Sequence, residues 1–303
     1  MIPRSVAVAL SVAWSLQSGP VPPPATFRAE TRLVVLHATV KNTRGDEVAD
    51  LDERAFRVYE NGKRQTITLF RRDDIPVSLG LLIDNSGSMR TLRSKVEAAA
   101  LAFVRASNPQ DEVFVLNFAD KTHLDVPFTS DVRVLEAGIS RVDSIGGTAL
   151  LDAVDRAEAY LRDHATRDRR ILLVITDGKD NASAATMKQI QAAAERSETV
   201  VYAIGLFGQA DSPGAREGRH ELEQLTDRSG GVAYYPAGIE EVGGVAVDLA
   251  RQIRNQYTIA YTPTNQALDG TYRTIRVDVA APERLVVRTR PGYRADRTTV
   301  TAR

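Results

Sequence analysis

From Val77 to about Pro236 the apolar positions fall into short unbroken runs, separated by longer stretches in which they recur every three or four residues. The runs VSLGLLID (77–84), EVFVLNFA (112–119), ILLVITD (171–177), TVVYAIGLF (199–207) and VAYYP (232–236) read as strands covered on both faces. Helices are predicted near 90–106, 132–140, 149–163, 184–196, 217–228 and 239–254. HLDVPF (123–128) follows the second strand after a tight turn and reads as an edge strand running the other way. Strand and helix in alternation predict an α/β fold: a doubly wound, mostly parallel six-stranded sheet.

On either side of this region the pattern changes to a period of two. LVVLHATV, FRVYENGK and QTITLF precede it, with Asn61–Gly62 marking a hairpin turn; YTIAYTP, YRTIRVDVA and LVVRTRPGY follow it, with Asp269–Gly270 as a turn signal. Neither stretch has enough strands to be stable alone. The simplest arrangement is a small β domain whose two halves pair across the inserted α/β domain; the competing one is two unpaired β extensions lying on it. The expected partition is 1–25 as leader and Pro-rich linker, 26–75 as the first β segment, 76–255 as the α/β domain and 256–303 as the second β segment.

The first residues narrow the compartment. MIPR is followed by SVAVALSVAWSL, an apolar run too short to span a bilayer comfortably, and then by QSGPVPPPA. That order predicts a signal peptide and an exported chain, periplasmic or secreted, with no membrane span once it is cleaved; an uncleaved anchor is the alternative. Lys+Arg and Asp+Glu are both 39, so no net field favours nucleic acid or an anionic membrane. With no cysteine in 303 residues, disulfides, thiolate metal sites and cysteine nucleophiles are excluded.

The chemistry concentrates where the first central strand stops. LLIDNSGSM places Asp84, Ser86 and Ser88 directly after a buried run, and such a cluster of oxygens suits a hard metal ion, a phosphate or a nucleophile. In the strand order 3-2-1-4-5-6 the strands ending in Asp84 and Asp177 are neighbours at the switch point, where doubly wound sheets bind ligands. Thr148, after the Gly146–Gly147 pair, reaches the same crevice from a helix start. Two carboxylates and three hydroxyls, with no nitrogen or sulfur, suit Mg²⁺ or Mn²⁺ and leave a coordination position open to an external oxygen. Taken singly, Asp84, Ser86 and Thr148 read as helix caps, Asp177 as part of a strand-ending turn, and Lys179, Asp180 and Asn181 as a solvated turn.

The D-N-S-G-S of LLIDNSGSM, the GGT ending at Thr148 and the TDG containing Asp177 together resemble the metal-ion-dependent adhesion site of von Willebrand factor type A domains. The resemblance covers roughly residues 76–255, and the flanks VKNTRGDEVADLDERAFRVYENGKRQTITLF and NQYTIAYTPTNQALDGTYRTIRVDV are similar to a group of exported bacterial proteins related to that domain. It implies a non-catalytic, divalent-metal-dependent binding module in which Asp84, Ser86, Ser88, Thr148 and Asp177 hold Mg²⁺ or Mn²⁺. The partner it implies is a protein offering a carboxylate to the ion. A structural envelope protein with a merely stabilising metal is the second reading.

Enzymatic readings fare worse. Phosphatases resembling the haloacid dehalogenase group carry a second acid two positions after the first, where this chain has Ser86. No G-x-S-x-G elbow surrounds Ser86 or Ser88, no Walker A pattern is present, and His37, His123, His164 and His220 show no ligand spacing.

Overall fold

The alternation of LVVLHATV sends Val34, Leu36, Ala38 and Val40 to one side of strand β1 (Val34–Lys41), where they are buried. That periodicity, repeated in the other flanking strands, builds a sandwich. The computed structural model describes residues 33–140, 145–207 and 212–296; the leader predicted for 1–25 lies outside them. After β1 come β2 (Phe56–Glu60), β3 (Lys63–Gln65) and β4 (Ile67–Arg71). β2 and β3 form the expected hairpin, with Asn61 and Gly62 both at positive φ, as a two-residue turn of this type requires.

The central sheet follows with β5 (Ser78–Asp84), β6 (Glu112–Phe118), β7 (Thr122–Thr129), β8 (Arg170–Thr176), β9 (Val200–Gly205) and β10 (Ala233–Tyr234). Its order is β10-β9-β8-β5-β6-β7, and only β7, at the edge, runs antiparallel. Every residue of β5 is buried because helices cover both faces. Leu79, Leu81 and Ile83 pack with α1 (Arg93–Ala106), α2 (Val132–Ile139) and α6 (Val242–Arg254); Leu82, Phe114 and Leu172 pack with α3 (Leu150–His164), α4 (Met187–Ala194) and α5 (Pro213–Ser229). Each such buried aliphatic side chain contributes about 2 kcal/mol, and this two-faced burial accounts for the unbroken apolar runs.

α6 leads through Asn255 and Gln256 into β11 (Tyr257–Tyr261), followed by β12 (Tyr272–Val279), β13 (Val286–Arg288) and β14 (Gly292–Arg294). The two flanks do pair, and they do so twice: one sheet is β13-β1-β11-β4 and the other β14-β12-β2-β3. Leu36, Tyr257 and Ile259 from the first meet Phe56, Val58 and Ile275 from the second. Glu60 ties them, accepting the hydroxyls of Tyr261 and Tyr293 at 2.9 Å each. LVVRTRPGY, which reads as one strand, is divided between the two sheets as β13 and β14. Pro291 lacks the N–H that a continuous ladder needs. Among the described residues no helix is long and apolar enough to cross a membrane.

Candidate metal centre

β5 and β8 run side by side in register, Ile83 opposite Ile175, so Asp84 and Thr176 end their strands together and Asp177 stands one residue beyond. Asp84 is fully buried. Its Oδ1 accepts the backbone N–H of Ser86 at 2.7 Å and its Oδ2 the hydroxyl of Thr176 at 2.5 Å. Ser86 Oγ lies 3.1 Å from Ser88 Oγ, which donates to Asp177 Oδ1 at 2.8 Å. Thr148 lies against the next residue of the same loop, since a Cβ on Gly178 would stand 3.1 Å from Thr148 Oγ1. The structure therefore brings all five sequence-predicted residues to one crevice at the carboxyl ends of β5 and β8.

Capping does not explain them. The turn of 3₁₀ helix Gly87–Thr91 has Ser86 at its N-cap position without a capping side-chain bond, and α3 begins after Ala149, likewise uncapped by its own N-cap side chain. Burial first, and the negative charge of Asp177 last, push the Asp84 carboxyl up to about 6 against the opposing bonds from Thr176 and Ser86. Burial also raises Asp177, against the bond from Ser88. Neither acid is paired with a lysine or arginine among the described residues. Two partly or fully buried carboxylates beside three hydroxyls, without a cationic side chain, form a donor set that fits a hard dication. The fit does not depend on nitrogen or a third acid: among the described residues no group of three or more His, Asp or Glu side chains is gathered to hold an ion.

The residues that position this crevice were the ones sequence reading passed over. Asn181 Oδ1 accepts the N–H of Thr148 at 2.8 Å, and Asp180 Oδ2 accepts that of Leu151 at 2.9 Å, capping α3 from a distant loop. Read as a solvated turn, these two also hold Thr148 and its helix in place, although Asn181 is exposed; Lys179 is at the surface, paired with Glu217. No local signal marked them, because Thr148 itself reads as the cap of the helix opening at ALLDAV; the structure instead puts Ala149 at that position, and the helix borrows its acceptor. Asp120 does the same for the glycine pair. Its Oδ1 takes the N–H of Gly147 at 2.6 Å, and Gly146 sits at φ +97° where a Cβ would collide with Asp120 Oδ2 at 2.2 Å.

Residues 79–179 match the family model described as von Willebrand factor type A domain. That stretch lies in the α/β region between the two halves of the β sandwich, and the region has a von Willebrand factor type A-like fold. Among solved structures the chain is similar to a von Willebrand factor type A protein from Catenulispora acidiphila (11% identity, 89% of this chain and 74% of that one, TM-score 0.53). It is also similar to proximal thread matrix protein 1 of the mussel byssus, in a form with a zinc-occupied MIDAS motif (16%, 64% and 50%, 0.52), and to the pilus adhesin SpaC of Lactobacillus rhamnosus GG (11%, 78% and 46%, 0.51). The match spans about half of the mussel and Lactobacillus chains. No curated protein matches in sequence.

Proposed function

We propose that the chain is an exported, non-catalytic binding module that recognises an acidic group on a protein partner through a Mg²⁺-type ion held by Asp84, Ser86, Ser88, Thr148 and Asp177. The observation that carries this reading is the run of oxygens from Ser86 through Ser88 to Asp177, beside the buried Asp84 and with no side-chain cation among them. When bound, the ion supplies a Lewis-acidic position to which a carboxylate oxygen can bind. The chain does the rest. Ser86 N–H and Thr176 occupy the two oxygens of Asp84 and fix its plane, so Asp84 acts chiefly as a buried negative charge while the hydroxyls and Asp177 face the crevice. Pilus-adhesin and byssal relatives of the fold support a role in adhesion, and through it an extracellular or periplasmic location.

Calorimetry with Mg²⁺ and Mn²⁺ tests the centre. One ion per chain is expected, and Asp84→Ala should lower its affinity at least ~100-fold, the equivalent of losing a buried charge partner. Peptides containing glutamate should then bind the loaded protein and lose binding when Glu is replaced by Gln or when a chelator is added. Absence of metal uptake, or equal binding of the Glu and Gln peptides, would overturn the reading.

A further inference from the structure

The opposite end of the central sheet holds a second, differently charged site. Facing away from the sandwich core, β1, β11 and β4 align His37, Thr258 and Arg71 in one cross-strand row, with Val35, Ala260 and Leu69 in the next. Between these strands and the starts of β8 and β9 lies a cavity of about 220 Å³. Val35, Leu69, Ile75 and Val200 make part of its wall apolar; Arg71, Arg169, Arg290 and His37 also line it.

One of these groups lacks what its burial demands. Arg169 is 5% exposed, and while one of its terminal nitrogens donates to Gln256, its Nε–H has no partner among the described residues. His37 is held well below its ordinary value, first by burial and then by the charges of Arg169 and Arg290, so at neutral pH it adds no charge; its Nδ1 lies 3.4 Å from Thr258 Oγ1. The acids that also line the cavity, Asp168 and Glu198, are exposed at its mouth, where they oppose entry of a doubly charged anion.

We propose that this cavity is a ligand site for a small monocarboxylate with a short apolar body, its carboxylate at the buried Arg169 guanidinium and its carbon chain against Val35, Leu69 and Val200. A guanidinium matches the planar, singly charged carboxylate, and the apolar half of the wall gives the ligand's body a surface that phosphate cannot use. The cavity is smaller than a drug-sized pocket, which limits the ligand to an acid of a few carbons. Nothing in it depends on the ion at the other end of the sheet.

Calorimetry and thermal melts of the full chain with hexanoate, in chelator, test the site. Saturable binding of one hexanoate is expected, with a melting temperature that rises with its concentration and affinity at least ~10-fold above that for acetate or inorganic phosphate. Ala194→Met fills the cavity from the end of α4 and should abolish binding without lowering the melting temperature; Arg71→Ala, at the exposed rim, should weaken it several-fold and leaves the fold intact even if the first variant does not fold. The site is overturned if hexanoate gives no saturable signal up to about 10 mM, if phosphate binds more tightly, or if neither substitution changes hexanoate affinity.

Discussion

The two ends of β8 differ in every respect that matters for recognition. Asp177 follows its last residue and Arg169 precedes its first, about 25 Å apart at roughly 3.3 Å per residue. At the Asp177 end, oxygens gathered by loops bond to one another, and among the described residues no lysine or arginine pairs with them. At the Arg169 end, nitrogen-bearing side chains are assembled by strand register across two sheets, and a buried donor lacks an acceptor. The parallel sheet supplies the polarity: β5 and β8 end at the oxygen crevice, while the starts of β8 and β9 line the cavity against β1, β11 and β4. One architecture can thus prepare a site for a cation and a site for an anion without either disturbing the other.

The sharpest way to break that comparison is Arg169→Ala. The substitution leaves Gln256 Oε1 without its donor in a buried network where Gln256 Nε2 also holds Thr39 at 2.7 Å and Tyr202 at 2.8 Å, and it takes from Asp111 a cation that offsets its charge. Losing one member of a buried charged network costs about 3–5 kcal/mol, to be measured by urea unfolding. Magnesium affinity of the folded fraction should stay at the wild-type value. A parallel fall in metal affinity would mean that β8 couples its two ends and that they are not separate sites.

The ends also differ in how far the sequence disclosed them. Asp84, Ser86 and Ser88 are contiguous, and Thr148 and Asp177 follow recognisable glycine and strand signals, so topology alone brought the five to one crevice. The central sheet was legible for a related reason: burial on both faces leaves unbroken apolar runs, and even the reversed edge strand β7 showed itself by its tight turn. Asp180 and Asn181 were read only as a solvated turn because their residue types are at home there, and because Thr148 reads as the cap that α3 borrows from them. His37, Arg71, Arg169, Thr258 and Arg290 carry no local signal at all. His37, Thr258 and Arg71 meet because β11 lies between β1 and β4, a pairing that spans most of the chain, and a slip of one residue would turn His37 toward the sandwich core.

Acidity separates the ends next. Asp111, at the Arg169 end, is pushed from 3.8 up to about 6, first by burial and then by the charge of Asp74, while the N–H groups of Val77 and Asn108 and the charge of Arg169 pull the other way. The folded chain therefore binds this proton more tightly than the unfolded one. Its contribution to stability is fully present below about pH 4 and is lost as pH rises through about 6, for a decline of up to about 3 kcal/mol. Asp84 is raised in the same range, so the measurement belongs on Asp84→Asn in chelator, where unfolding free energy should still fall between those limits. A flat profile there would assign the pH dependence to the metal end alone.

The smallest expected effect bears on the metal end, where it tests whether placement or charge makes the site. Asn181→Ala removes the acceptor that holds the Thr148 N–H but leaves all five oxygen donors in the chain. The loss of one such bond costs about 1 kcal/mol of stability. If Thr148 must be held against the Gly178 loop to serve as a donor, magnesium affinity falls several-fold in calorimetry while the hexanoate affinity of the far cavity stays unchanged. If instead the two carboxylates supply nearly all of the attraction, Asn181→Ala lowers the melting temperature and leaves metal affinity where it was. The hydroxyls would then shape the crevice for its partner more than they hold the ion.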